Sequence, residues 1–364
     1  MFNKSKERDS NIELYRIFLM IFIIAHHYVV NSGVMNNIYS DIFSSKSIYL
    51  SIFGAWGKVG INCFLLITGY FMCKSNISLK KFLKLLLEVE FYKIIVYLIF
   101  LITGYSNFEI LDFVRTILPV SSIADNFVGC YLVFYLFIPF INILIKNLSK
   151  KFHLLLILLL FFTYSVLGNI PKINVVINYL SLFFMIYLIG AYIRLYGIKL
   201  LENKKKCILI NVMIVTLCIS SIILGMLVYK KYIINMIYFF ITDSNKILAI
   251  LLSITIFYLF KNIKMKNSKF INRVATSIFG VLLIHANSDT MRNFLWKDLL
   301  NVTSVYNNSI YYIILHSIIS VLVIFIVCVI IDQIRIKLIE EPFFKVTSNK
   351  LDNWEKLIKK KIVN

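Results

Sequence analysis

The sequence predicts an all-α polytopic membrane protein with about ten transmembrane helices and both termini in the cytoplasm. Of its 364 residues, 60% are hydrophobic and only 16% are charged, and the mean hydropathy is +0.82. That apolar fraction is typical of a membrane protein and exceeds that of soluble globular domains. The apolar runs approach the roughly 20 residues that a helix needs to cross a bilayer, whereas barrel strands would give short alternating segments.

Short polar connections divide the chain into ten apolar segments. The first segment carries Glu13, Arg16 and His27 and has no small-residue cleavage site, so it is expected to be a retained span and not a signal peptide. We expect one transmembrane domain over residues 1–345 and a basic cytoplasmic tail over 346–364. The ten segments are 12–31, 58–73, 85–104, 127–145, 153–169, 174–193, 207–229, 246–260, 274–288 and 309–333.

The lysines and arginines are distributed unevenly between alternate connections. Of 39 such residues, 28 lie in one alternate set, eight lie in the other and three lie within spans. Because cytoplasmic connections are enriched in Lys and Arg, this predicts a multi-pass plasma-membrane protein with an N-in, C-in orientation. The net charge of +21 is then explained by basic cytoplasmic connections, and no nucleic-acid partner is expected. The basic set comprises the N-terminus, 74–84, 146–151, 194–206, 261–273 and the tail after 334.

Arg16 and His27 form the most informative pair in the sequence. Eleven steps of about 100° return His27 to within about 20° of Arg16, so the two share one face of the first helix, about 16 Å apart along its axis. Ionisable residues inside a membrane span are costly and usually mark functional sites. Two structural explanations stay open: Arg16 could reach the headgroups or pair with Glu13, and His27 could be a boundary residue bonded to a loop.

Other histidines are predicted near the same outer depth. His285 ends the ninth segment and His316 falls in the outer third of the tenth, while His26 points away from the Arg16 face. A neutral imidazole is a competent general base near neutral pH. Asp289 follows His285 by one turn and could orient it, although a solvated loop aspartate is the simpler interpretation. No carboxylate-rich or closely spaced histidine pattern suggests a metal, and the six cysteines show no paired spacing.

Polar residues around the second and third segments are further candidates for binding. Lys80, Lys81 and Lys84 form a basic rim on the cytoplasmic side, which suits a phosphorylated donor but also ordinary positive-inside topology. Asn62 lies at the outer mouth of the second span. Gly57, Gly60 and Gly69, in the same span, are expected to let its backbone approach a neighbouring helix closely.

Five stretches, in order along essentially the whole chain, resemble the integral-membrane acyltransferase-3 family. ELYRIFLMIFIIAHHY is similar to the family's Arg-x10-His signature, and GKVGINCFLLITGYF resembles its second-span element. YLVFYLFIPFIN, FMIYLIGAYIRLYG and SIFGVLLIH resemble its fourth-span, mid-chain and late elements. This chain departs from the family pattern at Asn62, where many members have Asp, at Thr68, where Ser is usual, and in having lysines where arginines often follow the second span.

The resemblance implies an O-acyltransferase of cell-envelope glycans with no bound cofactor. Acetyl-CoA or another short acyl-CoA would be the donor on the cytoplasmic side, and a hydroxyl of a surface or lipid-linked glycan would be the acceptor. Arg16 and the lysines would hold the donor with Glu13 nearby, and His27 would be the general base, with an acyl-histidine intermediate as a variant. His285 and Asn62 would polarise the thioester carbonyl or bind the acceptor.

The competing interpretation is a polytopic transporter, or a flippase or polymerase of lipid-linked glycans. A similar number of spans and a few buried charges would suit such a protein. Transporters of this kind show helices broken at corresponding points of two halves, or repeat symmetry. Neither pattern is visible in this sequence, which favours the enzyme.

Overall fold

The computed structural model describes residues 8–120, 126–170, 173, 175–232, 237–241 and 243–363, and these residues form helices and no strands. The predicted all-α class is confirmed. The first half of the chain contains α1 (Ser10–Val30), α2 (Met35–Ser40), α3 (Ser45–Phe53), α4 (Gly57–Met72), α5 (Leu79–Ile102), α6 (Ile110–Ile117), α7 (Phe127–Asn147) and α8 (Lys150–Phe161). The second half contains α9 (Tyr179–Tyr196), α10 (Lys199–Glu202), α11 (Lys204–Tyr232), α12 (Ile247–Lys261), α13 (Lys269–Thr276), α14 (Ile278–His285), α15 (Asp289–Arg292), α16 (Val302–Val305), α17 (Ile310–Arg335) and α18 (Glu341–Val363).

Each predicted segment coincides with a helix, but not all of these helices pass as spans. Within the described residues, seven helical stretches are long and apolar enough to cross a membrane. Two further consecutive stretches, Lys269–His285 and Asp289–Val305, meet at an angle of 91° and would count as an eighth span if taken together. α12 has only 15 residues. α5 has 24, but charged residues occupy its first half because Ser78 caps the helix well before the apolar run begins. Ten crossings therefore stay a prediction.

Glycines allow α4 to pack directly against its neighbours at the centre of the bundle. A Cβ atom at Gly69 would lie 2.4 Å from the carbonyl oxygen of Tyr187 on α9, and one at Gly190 would lie 2.5 Å from that of Leu66. A Cβ atom at Gly60 would lie 2.9 Å from the Ile23 side chain of α1. The close backbone approach expected of the α4 glycines is confirmed at Gly69, while Gly60 makes room for a side chain of α1. These contacts set the rotation of α4 about its own axis.

The two sets of connections form opposite ends of the bundle. At the lysine-rich end, Asn11 bonds to the carbonyl of Phe260, and Glu355 accepts from the backbone of Leu79. At the other end, the Lys46 ammonium bonds to the carbonyl of Tyr306. The tail beyond α17 forms a helix, α18, beside the start of α5.

A buried charge cluster ties α17 to α5 and to the segment before α18. Arg335 lies 2.7 Å from Asp332, 2.9 Å from Glu340 and 3.1 Å from Glu88, and Tyr92 donates to Asp332 over 2.8 Å. A buried charge is tolerated when it is paired in this way, and losing one partner is costly. This cluster therefore orients the last helices.

Orientation can be tested with reporter fusions. Because the lysine-rich end should face the cytoplasm, we expect a green fluorescent protein at the C-terminus to fluoresce and alkaline phosphatase there to be inactive. Phosphatase fused after Ser106, in a connection of the lysine-poor set, should be active. An active phosphatase at the C-terminus would contradict the predicted orientation.

A cavity along the first helix is the candidate active site

A cavity of about 1080 Å³ runs beside α1. Its walls are formed by α1, α4, α5, α7 and α14 and by the connection around α6. It reaches from Leu85 near the lysine-rich end to Asp289 and Arg292 at the opposite end. One face of α1 lines it at helical spacing, through Arg16, Met20, Ile23, His27 and Val30.

Arg16 lies in the cavity wall towards the lysine-rich end. Its guanidinium is 3.0 Å from Glu13, and Glu13 also lies 3.6 Å from Arg8. Arg16 further lines a smaller pocket of about 250 Å³ that Glu13 shares. The ion pair between Arg16 and Glu13 that the sequence suggested is thus present. Arg16 still lines both the large cavity and the smaller pocket.

His27 and His285 form a hydrogen bond that joins residues 258 positions apart. His285 is 1% exposed, and its Nδ1 lies 2.6 Å from the carbonyl oxygen of Val281. Because a carbonyl can only accept, His285 Nδ1 carries the hydrogen and the Nε2 of the neutral ring is an acceptor. His27 Nδ1 lies 3.1 Å from that Nε2, so His27 donates. The network assigns the tautomer of His27, and no group of the described residues donates to the lone pair that this leaves on its Nε2.

His26 also lines the cavity, although the helical wheel places it away from the Arg16 face. Its Nδ1 lies 2.6 Å from the carbonyl of Gly54. A Cβ atom at Gly57 would lie 2.4 Å from the imidazole ring. Glycine at position 57 therefore makes room for His26 between α1 and α4. The sequence does not predict this contact, because it depends on how two helices pack together.

Several predicted binding residues lie outside the cavity lining. Asn62 is fully buried and donates to the carbonyl of Ser244 over 2.7 Å. It is seven residues from Gly69 and so shares the helix face that packs against other helices. Lys80 lies over the ring of Phe344, Lys84 pairs with Glu340, and Lys81 is exposed at the lysine-rich end. Donor or acceptor binding by these residues stays a prediction.

Asp289 does not orient His285, and His316 does not line the cavity. Asp289 pairs with Arg292 at 2.6 Å, and the Val281 carbonyl takes the place at His285 Nδ1 that Asp289 could have filled. His316 bonds to the hydroxyl of Tyr28 over 2.9 Å, outside the cavity lining. Within the described ranges, no three His, Cys, Asp or Glu side chains are arranged to hold a metal ion.

The sequence analysis assigned no role to several other polar residues that line the cavity. Lys58 lies 3.4 Å from the Tyr179 hydroxyl, and Thr68 lies 3.3 Å from the Tyr131 hydroxyl. Lys58 could have been noticed as a cation at the edge of an apolar run. The tyrosines carry no comparable signal, because aromatic residues are common throughout these spans.

Comparison with known proteins gives a family and no individual relative. A model described as an acyltransferase domain, of the acyltransferase-3 type, matches residues 9–332. Searches of curated proteins and of solved structures found no match. The match covers the five motif stretches and all the helices that wall the cavity. The chain therefore belongs to the acyltransferase-3 family of integral membrane acyltransferases.

Proposed function

We propose that this membrane acyltransferase moves a short acyl group from acyl-CoA to a hydroxyl of a cell-envelope glycan, with His27 as the general base. The observation that carries the proposal is the series of two hydrogen bonds that links the Val281 carbonyl to His285 and His285 to His27. It holds a neutral imidazole with a free Nε2 lone pair in the wall of a cavity. A base held by a second oriented group is the arrangement that general-base catalysis requires.

The transfer step follows from that geometry. The acceptor hydroxyl gives its proton to His27 Nε2 as its oxygen attacks the thioester carbonyl, so a C–O bond forms. The C–S bond then breaks, and the thiolate of CoA takes the proton back from the imidazolium. The positive charge that forms on His27 strengthens its Nδ1–H bond to His285.

The donor is proposed to enter from the lysine-rich end, which the charge distribution assigns to the cytoplasm. Arg16 is the cation in the cavity wall nearest that end on α1. A guanidinium suits phosphate oxygens because it offers several donors in one plane. Glu13 holds the Arg16 side chain in place, and about three helical turns separate Arg16 from His27, a distance that an extended pantetheine arm can cover.

The acceptor is proposed to occupy the opposite half of the cavity. That half is lined by the aromatic rings of Tyr97 and Tyr179 and by polar groups of Lys58, Asn287 and Arg292. Sugar rings present both apolar faces and hydroxyl edges, so a mixed lining of this kind suits them. A hydroxyl placed here would lie on the His27 side of the thioester.

Substituting His27 by Ala should lower acyl transfer by about 10² to 10⁴-fold, the usual contribution of a general base. Membranes carrying the variant would be incubated with radiolabelled acetyl-CoA, and label in glycan would be measured. His26→Ala is the matched control, since His26 lines the same cavity but bonds to Gly54. If the control loses more activity than His27→Ala, the assignment of the base is wrong.

His285 is expected to act as a positioning residue that can be tested by rescue. In His285→Gln the side-chain oxygen takes the place of Nε2 and can still accept from His27, whereas in His285→Asn the amide lies at the Nδ1 position and cannot. A hydrogen bond to a charged group contributes about 1.5–3 kcal/mol, so His285→Asn should lose about 10- to 150-fold in kcat.

The glutamine variant should recover much of that loss, and the KM for acetyl-CoA should change little in either variant. Equal activity of the two variants, or a loss that appears only in KM, would contradict the positioning role.

Replacing Arg16 by Lys keeps the charge but removes the planar set of donors. The KM for acetyl-CoA should rise by about 10- to 150-fold, which corresponds to about 1.5–3 kcal/mol for a charged hydrogen bond, and kcat should change less. Arg273→Lys, at an exposed arginine of the same end that bonds to Gln333, is the matched control. An unchanged KM for acetyl-CoA in Arg16→Lys would exclude phosphate recognition by Arg16.

A further inference from the structure

Within the described residues, the connection that follows α5 folds back along that helix through α6. After α5 ends at Ile102, α6 runs down beside it, with the ring of Phe113 6.5 Å from that of Tyr97. Lys93 donates to the carbonyls of Arg115, over 3.1 Å, and Leu118. Lys93 lies nine residues before the end of α5, which is about 13 Å at 1.5 Å per residue. The C-terminal end of α6 therefore lies beside the middle of α5.

The two faces of α6 have opposite polarity. Asp112, Arg115 and Thr116 line the cavity. The other face presents apolar side chains that are largely exposed, such as Ile110 at 63% and Leu111 at 65%. In a soluble protein the apolar face of such a helix would turn inwards. α5 also exposes apolar side chains, at Ile95, Leu98, Ile99 and Ile102. In a bilayer, the exposed apolar side of α6 would face lipid while its polar side faces the cavity.

α6 is held weakly. None of the eight residues of α6 is buried. The ammonium of Lys93 closes its C-terminal end by bonding to carbonyls that lack helical partners, and Glu90 lies 3.7 Å from Lys93. A segment with few buried contacts opens at low free-energy cost. Moving α6 outwards would join the acceptor half of the cavity sideways to the lipid.

We propose that α6 is a side gate and that the acceptor is a glycan carried on a lipid. This inference rests on the proposed function. A molecule with a polar head and an apolar tail can occupy both sides of the opened wall, with its sugar beside His27 and its tail in the bilayer. A water-soluble glycan would enter from the end of the bundle and would need no opening towards lipid.

The first test follows the acyl label through time and requires no knowledge of the acceptor. Native membranes would receive a short pulse of radiolabelled acetyl-CoA and then be extracted with chloroform and methanol. Label that depends on His27 should appear first in the lipid-extractable glycan and reach the aqueous polymer later. Label that enters aqueous polymer first would overturn the gate. The absence of any His27-dependent label in either fraction would instead overturn the proposed function.

The second test restrains α6. The double variant Tyr97→Cys with Phe113→Cys would be linked by a short bis-thiosulfonate reagent; the six native cysteines are buried. Linking should reduce labelling of the lipid-extractable glycan at least tenfold relative to the same double variant before linking. Reduction of the link should restore the activity, which shows that the protein is folded. If the linked double variant stays as active as the unlinked one, α6 is not a gate.

Discussion

The candidate site depends on one constraint: a polar hydrogen inside a helical bundle must find an acceptor. In three histidines, one ring nitrogen contacts a backbone carbonyl. The pairs are His26 with Gly54, His153 with Leu188 and His285 with Val281. Such a nitrogen must carry hydrogen, so the other nitrogen of the neutral ring is left with a lone pair. His27 differs because its Nδ1 meets the lone pair of another imidazole. The Val281 carbonyl on α14 therefore sets which atom donates in each of these hydrogen bonds. The series ends at His27 Nε2, on the cavity side.

Charged residues within the helices either line the cavity or do not, and the presence of an ion-pair partner does not distinguish the two groups. Arg335 has three carboxylate neighbours and takes no part in the cavity lining, so its cluster serves to hold helices together. Arg16 and Lys93 also have carboxylate neighbours, Glu13 and Glu90, yet both line the cavity. Access to a cavity, and not the presence of a charge in a helix, separates Arg16 and Lys93 from Arg335, and this is why a function is proposed for Arg16 and none for Arg335.

The proposed function requires two substrates of different solubility to meet at one base. α1 extends from one end of the cavity to the other and presents Arg16 and His27 on the face that lines it. In the proposal, a phosphorylated donor enters from the lysine-rich end and the acceptor enters from the opposite half, where α6 has one polar and one apolar face. A thioester and a sugar hydroxyl that enter by different routes would then meet at His27. Two separate entrances would require a cavity that crosses most of the bundle.

Within this protein, the sequence by itself determined the elements whose signals are local. Apolar run lengths predicted the helices, the period of 3.6 placed Arg16 and His27 on one face, and three glycines predicted the contacts of α4. Tertiary structure decided which face meets which neighbour. It turned Asn62 away from the cavity, brought His285 to His27 and His26 to Gly57, and folded α6 back along α5. Helical periodicity fixes only relative angles within one helix, whereas the rotation of each helix about its axis is set by packing against residues far away in the chain.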